Sequence, residues 1–340
     1  MGTLVLCFVT HFLVDLSGIF FMYSVMMPLA SSHEQMLSWV ILYNFMAFAF
    51  PAAAGALADR FVKKRNLLLS ASGCLLIACA YLLPRSLTLP PVFLVGLGNG
   101  IFHLGAGKEI LLESGNKYAP SGVFISSGTM GVFLGTFLGG RFMPLWDAFT
   151  LIMLGCFAAL VLWSRMPGGE REKKRAFVQK EDGPQLLPIL FLFLVVLIRS
   201  YYGSMQKYSW KNTVFMSFVF TLCVMGGKFL GGILADWLGH KKTIWLSLGI
   251  AGAAAVFSMS DPVMGCISIF FFNMTMPLTL SLMASKIPSH QGFAFGFLML
   301  ALFLGTLPTM LAGFYWFFSP AGMASLCAAS LVLLLFASTN

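Results

Sequence analysis

Gly55-Ala56-Leu57-Ala58-Asp59-Arg60, running on into Lys63-Lys64-Arg65, decides the fold because the design occurs twice. The second copy, Gly232-Ile233-Leu234-Ala235-Asp236-Trp237, runs into Gly239-His240-Lys241-Lys242. Each copy lies between two long apolar runs, one in each half of the chain, and the two are offset by 177 residues. Gly128-Thr129 and Gly305-Thr306 keep that offset, whereas Ser121-Gly122 pairs with Gln291-Gly292, a drift that variable loops allow. A small-residue helix end, a carboxylate and a basic turn therefore stand at matching points of an internal duplication.

The residues around these copies belong in a bilayer. The chain is 59% hydrophobic and 10% charged, with mean hydropathy +0.88, where a soluble domain carries about a quarter of its residues charged. A spanning helix takes about 20 residues, so a chain of this length holds about twelve. Apolar runs of that length fall at 4–28, 36–57, 66–83, 89–112, 121–141 and 147–166, then at 186–208, 212–235, 243–259, 262–285, 292–317 and 320–337. The hydrophilic stretch between the two sets holds Glu170, Arg171, Glu172, Lys173, Lys174, Arg175 and Lys180. The expected architecture is all-α and integral to the membrane, with twelve transmembrane helices in two pseudo-symmetric six-helix lobes. The N-terminal lobe is 1–166, a cytoplasmic linker 167–185, and the C-terminal lobe 186–340.

The net charge of +9 is spread over short loops, which is the orienting signal of a membrane protein and not a nucleic-acid stripe. One set of loops carries Arg60, Lys63, Lys64, Arg65, Lys117, Arg165, the linker cluster, Lys241, Lys242 and Lys286. The opposite set carries only Arg85, Arg141, Lys207 and Lys211. The richer side is expected to be cytoplasmic, with both termini there. No cleavable signal is expected, since the first apolar run lacks a basic leader and is too long for a signal core. The seven cysteines lie inside apolar runs and have no metal or disulfide spacing. No phosphate-binding Gly-Lys loop is present, so neither ATP-driven work, enzymatic activity nor a cofactor is expected.

Ionisable groups deep in a span cost about 2.5–3.5 kcal/mol each on insertion scales, which makes them candidates for function. Asp15 lies near the middle of the first run, with His11 one turn earlier on the same face. Asn99 and His103 share a face of the fourth run, Arg199 stands mid-way along the seventh beside Tyr202, and Asn273 mid-way along the tenth. The fifth run presents Gly131, Gly135 and Gly139 at spacings that make a smooth face for close helix packing. Lys108, Glu109 and Glu113 are read as solvated charges at a helix end, with gate or structural duty.

The paired Gly-x-Leu-Ala-Asp loops after the second and eighth runs resemble the signature loop of the major facilitator superfamily, and span count and linker position agree over the whole chain. The resemblance implies that Asp59 and Arg60, with Asp236 and Lys241, form a cytoplasmic gate. It also implies that the first, fourth, seventh and tenth spans line a central cavity. Thr10-His11-Phe12-Leu13-Val14-Asp15, Gly98-Asn99-Gly100-Ile101-Phe102-His103 and Leu197-Ile198-Arg199-Ser200 resemble the fosmidomycin-resistance branch, whose members export a small anionic drug in exchange for protons.

The expected function is secondary active transport of a small, anionic organic molecule by proton-coupled alternating access, with efflux slightly favoured. In this reading Asp15, His11 and His103 carry the proton, while Arg199, Asn99, Asn273 and Tyr202 meet the substrate. A structural Asp15–Arg199 pair is the plainer reading of those two charges. The expected setting is the inner membrane of a bacterium, as a monomer whose partners are lipid, protons and a small molecule. Rival readings are a nutrient importer with the same parts, or a transport-inactive sensor of the same fold. No metal is expected, since no spacing fixes a ligand geometry for His11, Asp15 and His103.

Overall fold

Inside a bilayer every backbone polar group must find its partner within the protein, so apolar runs of this length fold as helices. The computed structural model describes residues 1–62, 65–84, 86–141, 145–166, 186–311 and 313–339, and among them no strand occurs. The linker expected at 167–185, together with Lys63, Lys64 and Arg85, lies outside the described residues.

The first half of the chain forms α1 (Gly2–Leu29), α2 (His33–Phe61), α3 (Asn66–Leu82), α4 (Leu89–Glu113), α5 (Ala119–Gly139) and α6 (Trp146–Arg165). The second half forms α7 (Leu186–Ser204), α8 (Val214–Leu238), α9 (His240–Ala255), α10 (Pro262–Lys286), α11 (Gln291–Leu311) and α12 (Pro320–Ser338). All but α3 and α9 are long and apolar enough to cross a membrane. Those two have 17 and 16 residues, and each stands third in its half, so the duplication extends to helix length. The twelve expected runs are all helices, and the architecture is the twelve-helix membrane fold read from the sequence.

Proline shapes three of the helices. It lacks an N–H and crowds the carbonyl four residues back, and a wider turn absorbs the misfit. In α1 the turn Met22–Met26 is π-helical ahead of Pro28, and in α2 the turn Phe45–Ala49 is π-helical ahead of Pro51. In α10 the helix breaks after Asn273 and resumes at Met276, just ahead of Pro277.

Both signature helices run further than their apolar stretch. α2 continues to Phe61 and α8 to Leu238, which puts Asp59 and Asp236 in the last helical turn. The two copies end differently. α8 stops at Gly239 with φ +85°, and α9 starts at the next residue. That backbone conformation is open to glycine and strained for other residues. Val62, at the matching position of the first copy, has φ −111°.

By contacts the described residues group into two units. The first is drawn from Met1–Glu113, Ser127–Arg175 and Ser289–Leu300, the second from Ser114–Ser126, Ala176–Pro288 and Ala301–Asn340. In the first unit, Phe21, Met26, Trp39, Tyr43, Val92 and Val95 form a buried core between α1, α2 and α4. There α5 lies on α1 through Gly131, Gly135 and Gly139, where an added methyl would meet Phe12, Leu16 and Tyr23 respectively. In the second unit Gly305 of α11 plays the same part against Leu197 and Ser200 of α7.

Candidate functional site

Four polar side chains of the first unit converge at mid-helix. His11 and Asp15 stand one turn apart on α1, and Asn99 and His103 one turn apart on α4. The His11 Nε2 lies 3.2 Å from Asp15 Oδ2, and the His103 Nε2 lies 3.5 Å from Asp15 Oδ1. The two Nε2 atoms are 2.8 Å apart, with the rings edge to face. Asn99 Nδ2 donates to Asp15 Oδ1 at 3.0 Å. His11, Asn99 and His103 are buried, while the Asp15 side chain keeps 13% exposure.

Outer contacts fix where the protons sit. The His103 Nδ1 lies 2.8 Å from the Asn99 carbonyl, which can only accept, so Nδ1 carries the hydrogen and Nε2 holds a lone pair. The His11 Nδ1 meets the Ser127 hydroxyl at 3.2 Å. With that hydroxyl donating, His11 Nε2–H is directed at the His103 Nε2 and the Asp15 carboxylate. One hydrogen of His11 is then directed at two acceptors. The arrangement needs Gly128 on α5, because a methyl there would overlap both the Asp15 carboxylate and the His11 ring.

The second unit holds a buried cation. Arg199 of α7 donates from Nη1 to Thr279 Oγ1 at 3.0 Å and from Nη2 to Thr275 Oγ1 at 2.7 Å. Those hydroxyls in turn donate to the Phe272 and Met276 carbonyls. The break in α10 presents Thr275 and Thr279 to the guanidinium. Its Nε is buried without a partner, and no described carboxylate lies within 4 Å of the group. Within the first unit the Asp15 carboxylate has His11, His103 and Asn99 as its neighbours.

Two other residues expected at the substrate have hydrogen bonds within the second unit. Tyr202 is fully buried, stacks on Phe272 with ring centres 4.2 Å apart, and shares a hydrogen bond with Ser268 Oγ at 2.8 Å. Asn273 Nδ2 donates to the Ile269 carbonyl of its own helix at 2.8 Å.

The helix-end aspartates each hold the start of another helix. Asp59 accepts from the Gly292 and Phe293 N–H groups at 2.9 and 2.8 Å, at the start of α11. Asp236 accepts from the Tyr118 and Ala119 N–H groups at 2.8 and 3.0 Å, at the start of α5. Carboxylates suit this place because the first N–H groups of a helix lack partners and carry partial positive charge. Burial, and next the Asp236 charge, push the Tyr118 phenol up to about 12. The glycines of the motif permit the approach, since a methyl on Gly55 would run into the Gly292 backbone.

The basic partner of Asp59 is Lys108, whose Nζ lies 2.9 Å from Asp59 Oδ1 and also bonds the Ala58 and Val62 carbonyls. Glu109 beside it accepts from Asn66 at 2.8 Å. Lys108 and Glu109 are thus buried, correcting their reading as solvated charges. Arg60 is exposed, with its guanidinium over the Phe61 ring, and Lys241 is exposed.

No family model matches the sequence. The fosmidomycin resistance protein of Escherichia coli (strain K12) is 24% identical over 239 residues, a match spanning 60% of this chain and 58% of that protein. Among solved structures, the human organic anion transporter TETRAN superposes with a TM-score of 0.71 at 14% identity, covering 99% of each chain. A proton:xylose symporter of the major facilitator superfamily superposes with a TM-score of 0.68 at 13% identity, covering 98% of this chain and 94% of that one. Likeness over nearly the full chain, with the duplicated helix-end aspartates in place, gives this protein the fold of the major facilitator superfamily, and its sequence likeness runs toward the fosmidomycin-resistance branch.

Proposed function

We propose that this chain is a proton-coupled secondary transporter of a small organic anion, with export slightly favoured over uptake. It works as a monomer in the inner membrane of a bacterium, with both termini cytoplasmic. Its two six-helix lobes, 1–166 and 186–340, alternate in access. The observation that carries this reading is Arg199, a buried guanidinium held by two threonine hydroxyls with no described counter-ion. An uncompensated charge in such surroundings is costly unless a ligand supplies the opposite charge, and the planar fork of arginine suits a carboxylate or phosphonate.

The hydrogen held among His11, His103 and Asp15 supplies the exchangeable proton. Asn99 orients the carboxylate through its amide. Anion and proton would bias the same set of conformations in opposite directions, which is how an ion gradient performs transport work. The aspartates at 59 and 236 hold helix starts that must be released and recaptured in each cycle.

The test is thermal unfolding of the purified protein against fosmidomycin, other phosphonates, carboxylates and matched cations. At least one anion is expected to raise the unfolding temperature of wild type. Arg199→Ala should abolish that shift, and Arg199→Lys should keep part of it. Stabilisation by cations alone, or an anion shift that survives Arg199→Ala, would remove the anion reading. With labelled ligand in vesicles, accumulation or loss against a proton gradient then distinguishes uptake from export.

A further inference from the structure

We infer that His11, Asp15 and His103 form a binding site for one divalent first-row transition-metal ion, of the kind represented by Zn2+ or Co2+. Each of the three offers one ligand atom, and these atoms lie within 4.8 Å of one another. The separations are 2.8 Å between the two Nε2 atoms, and 3.2 and 3.5 Å from those atoms to the carboxylate. An ion at about 2.1 Å from both Nε2 atoms would see them at an angle of roughly 85°, and the carboxylate reaches the two rings through different oxygens, Oδ2 toward His11 and Oδ1 toward His103. Two imidazoles and a carboxylate suit zinc, cobalt, nickel or iron better than magnesium or calcium, which prefer all-oxygen surroundings.

The surroundings provide a second, independent argument. A histidine that binds metal through one nitrogen is usually oriented by a hydrogen bond from the other. Both rings have such a partner: His103 Nδ1 on the Asn99 carbonyl and His11 Nδ1 on Ser127. Asn99 also donates to the Asp15 carboxylate. Its own Oδ1 is buried without a partner, a donor atom left over beside the ligand set. Binding needs one rearrangement: His11 gives up the hydrogen on Nε2 and carries one on Nδ1 instead, which Ser127 accepts. The partial exposure of Asp15 leaves one side of the site open for entry and for a water ligand.

The inference goes beyond the proposed function: it is independent of the anion site, because Arg199, Thr275 and Thr279 share no atom with it, but it uses the residues proposed to carry the proton, so a bound ion would take that proton's place. The test is titration of metal-free, tag-free protein in detergent with Co2+, followed by its visible absorption, and with Zn2+ by calorimetry. One ion per chain is expected, with the intense Co2+ bands of a low-symmetry nitrogen and oxygen site. His103→Gln and Asp15→Asn should abolish saturable binding, and Ser127→Ala should weaken it roughly tenfold. Replacing the exposed His33 and His290 with alanine should change nothing. Absence of a saturable Co2+ spectrum in wild type, or a spectrum that survives His103→Gln, overturns the site. Should His103→Gln fail to fold, as read by helical circular dichroism, Ser127→Ala decides: unchanged affinity there also overturns it. Anion binding measured on the same preparation can fail or succeed without affecting either outcome.

Discussion

The two copies of the signature loop capture helix starts through the same geometry, but in different surroundings. Asp59 and Asp236 each accept two backbone N–H groups at 2.8–3.0 Å. The Asp59 side chain is only 4% exposed and is matched by the equally buried Lys108. Asp236 is exposed, and no described cation lies within ion-pair distance of it. At the offset of the duplication, Ser285 stands where Lys108 does in the first half. Duplication thus preserved the backbone-capturing carboxylate while one half acquired a buried counter-charge. A buried pair is expensive to break from one side, because the surviving charge is left without a partner, whereas an exposed carboxylate at a helix start contributes little.

Three substitutions can break this contrast. Asp59→Ala leaves Lys108 buried and unpaired, and should destabilise the protein by about 3–5 kcal/mol in reversible denaturation. The double variant Asp59→Ala/Lys108→Met should be less destabilised than Asp59→Ala alone, since no orphan charge remains. A double variant as unstable as the single one would mean that the N–H contacts, not the ion pair, dominate. Asp236→Ala should cost about 1 kcal/mol or less, and less still at high salt. Equal losses at positions 59 and 236 would refute the asymmetry altogether.

The fold was legible because a bilayer imposes length and apolarity on each helix; ten helices meet both conditions, and the two shorter ones, α3 and α9, occupy matching places in the duplication. The repeated motif singled out Asp59 and Asp236 as gate residues; that each accepts two backbone N–H groups at a helix start is read from the structure. Spacing by four put His11 with Asp15, and Asn99 with His103, on common helix faces. That α1 and α4 bring those faces together is a tertiary fact that no local pattern encodes. Ser127, Thr275 and Thr279 went unread because hydroxyls occur throughout membrane helices and usually bond their own backbone. Lys108 was misread because it lies near the end of an apolar run, where lysine is normally solvated. Its position more than a turn inside the helix end, beside Glu109, was the available signal. Tyr202 and Asn273 lie on the helices named from sequence, and the hydrogen bonds of the Tyr202 hydroxyl to Ser268 and of Asn273 Nδ2 to Ile269 could not be read there.

Gly239 has a mechanical consequence. Between α8 and α9 it is the sole connecting residue, and a single residue supplies only two soft rotations. A tilt of α8, such as release of Asp236 would allow, must therefore be transmitted almost rigidly to α9. In the first half four residues, 62–65, separate α2 from α3. The more weakly held carboxylate thus sits at the stiffer lever.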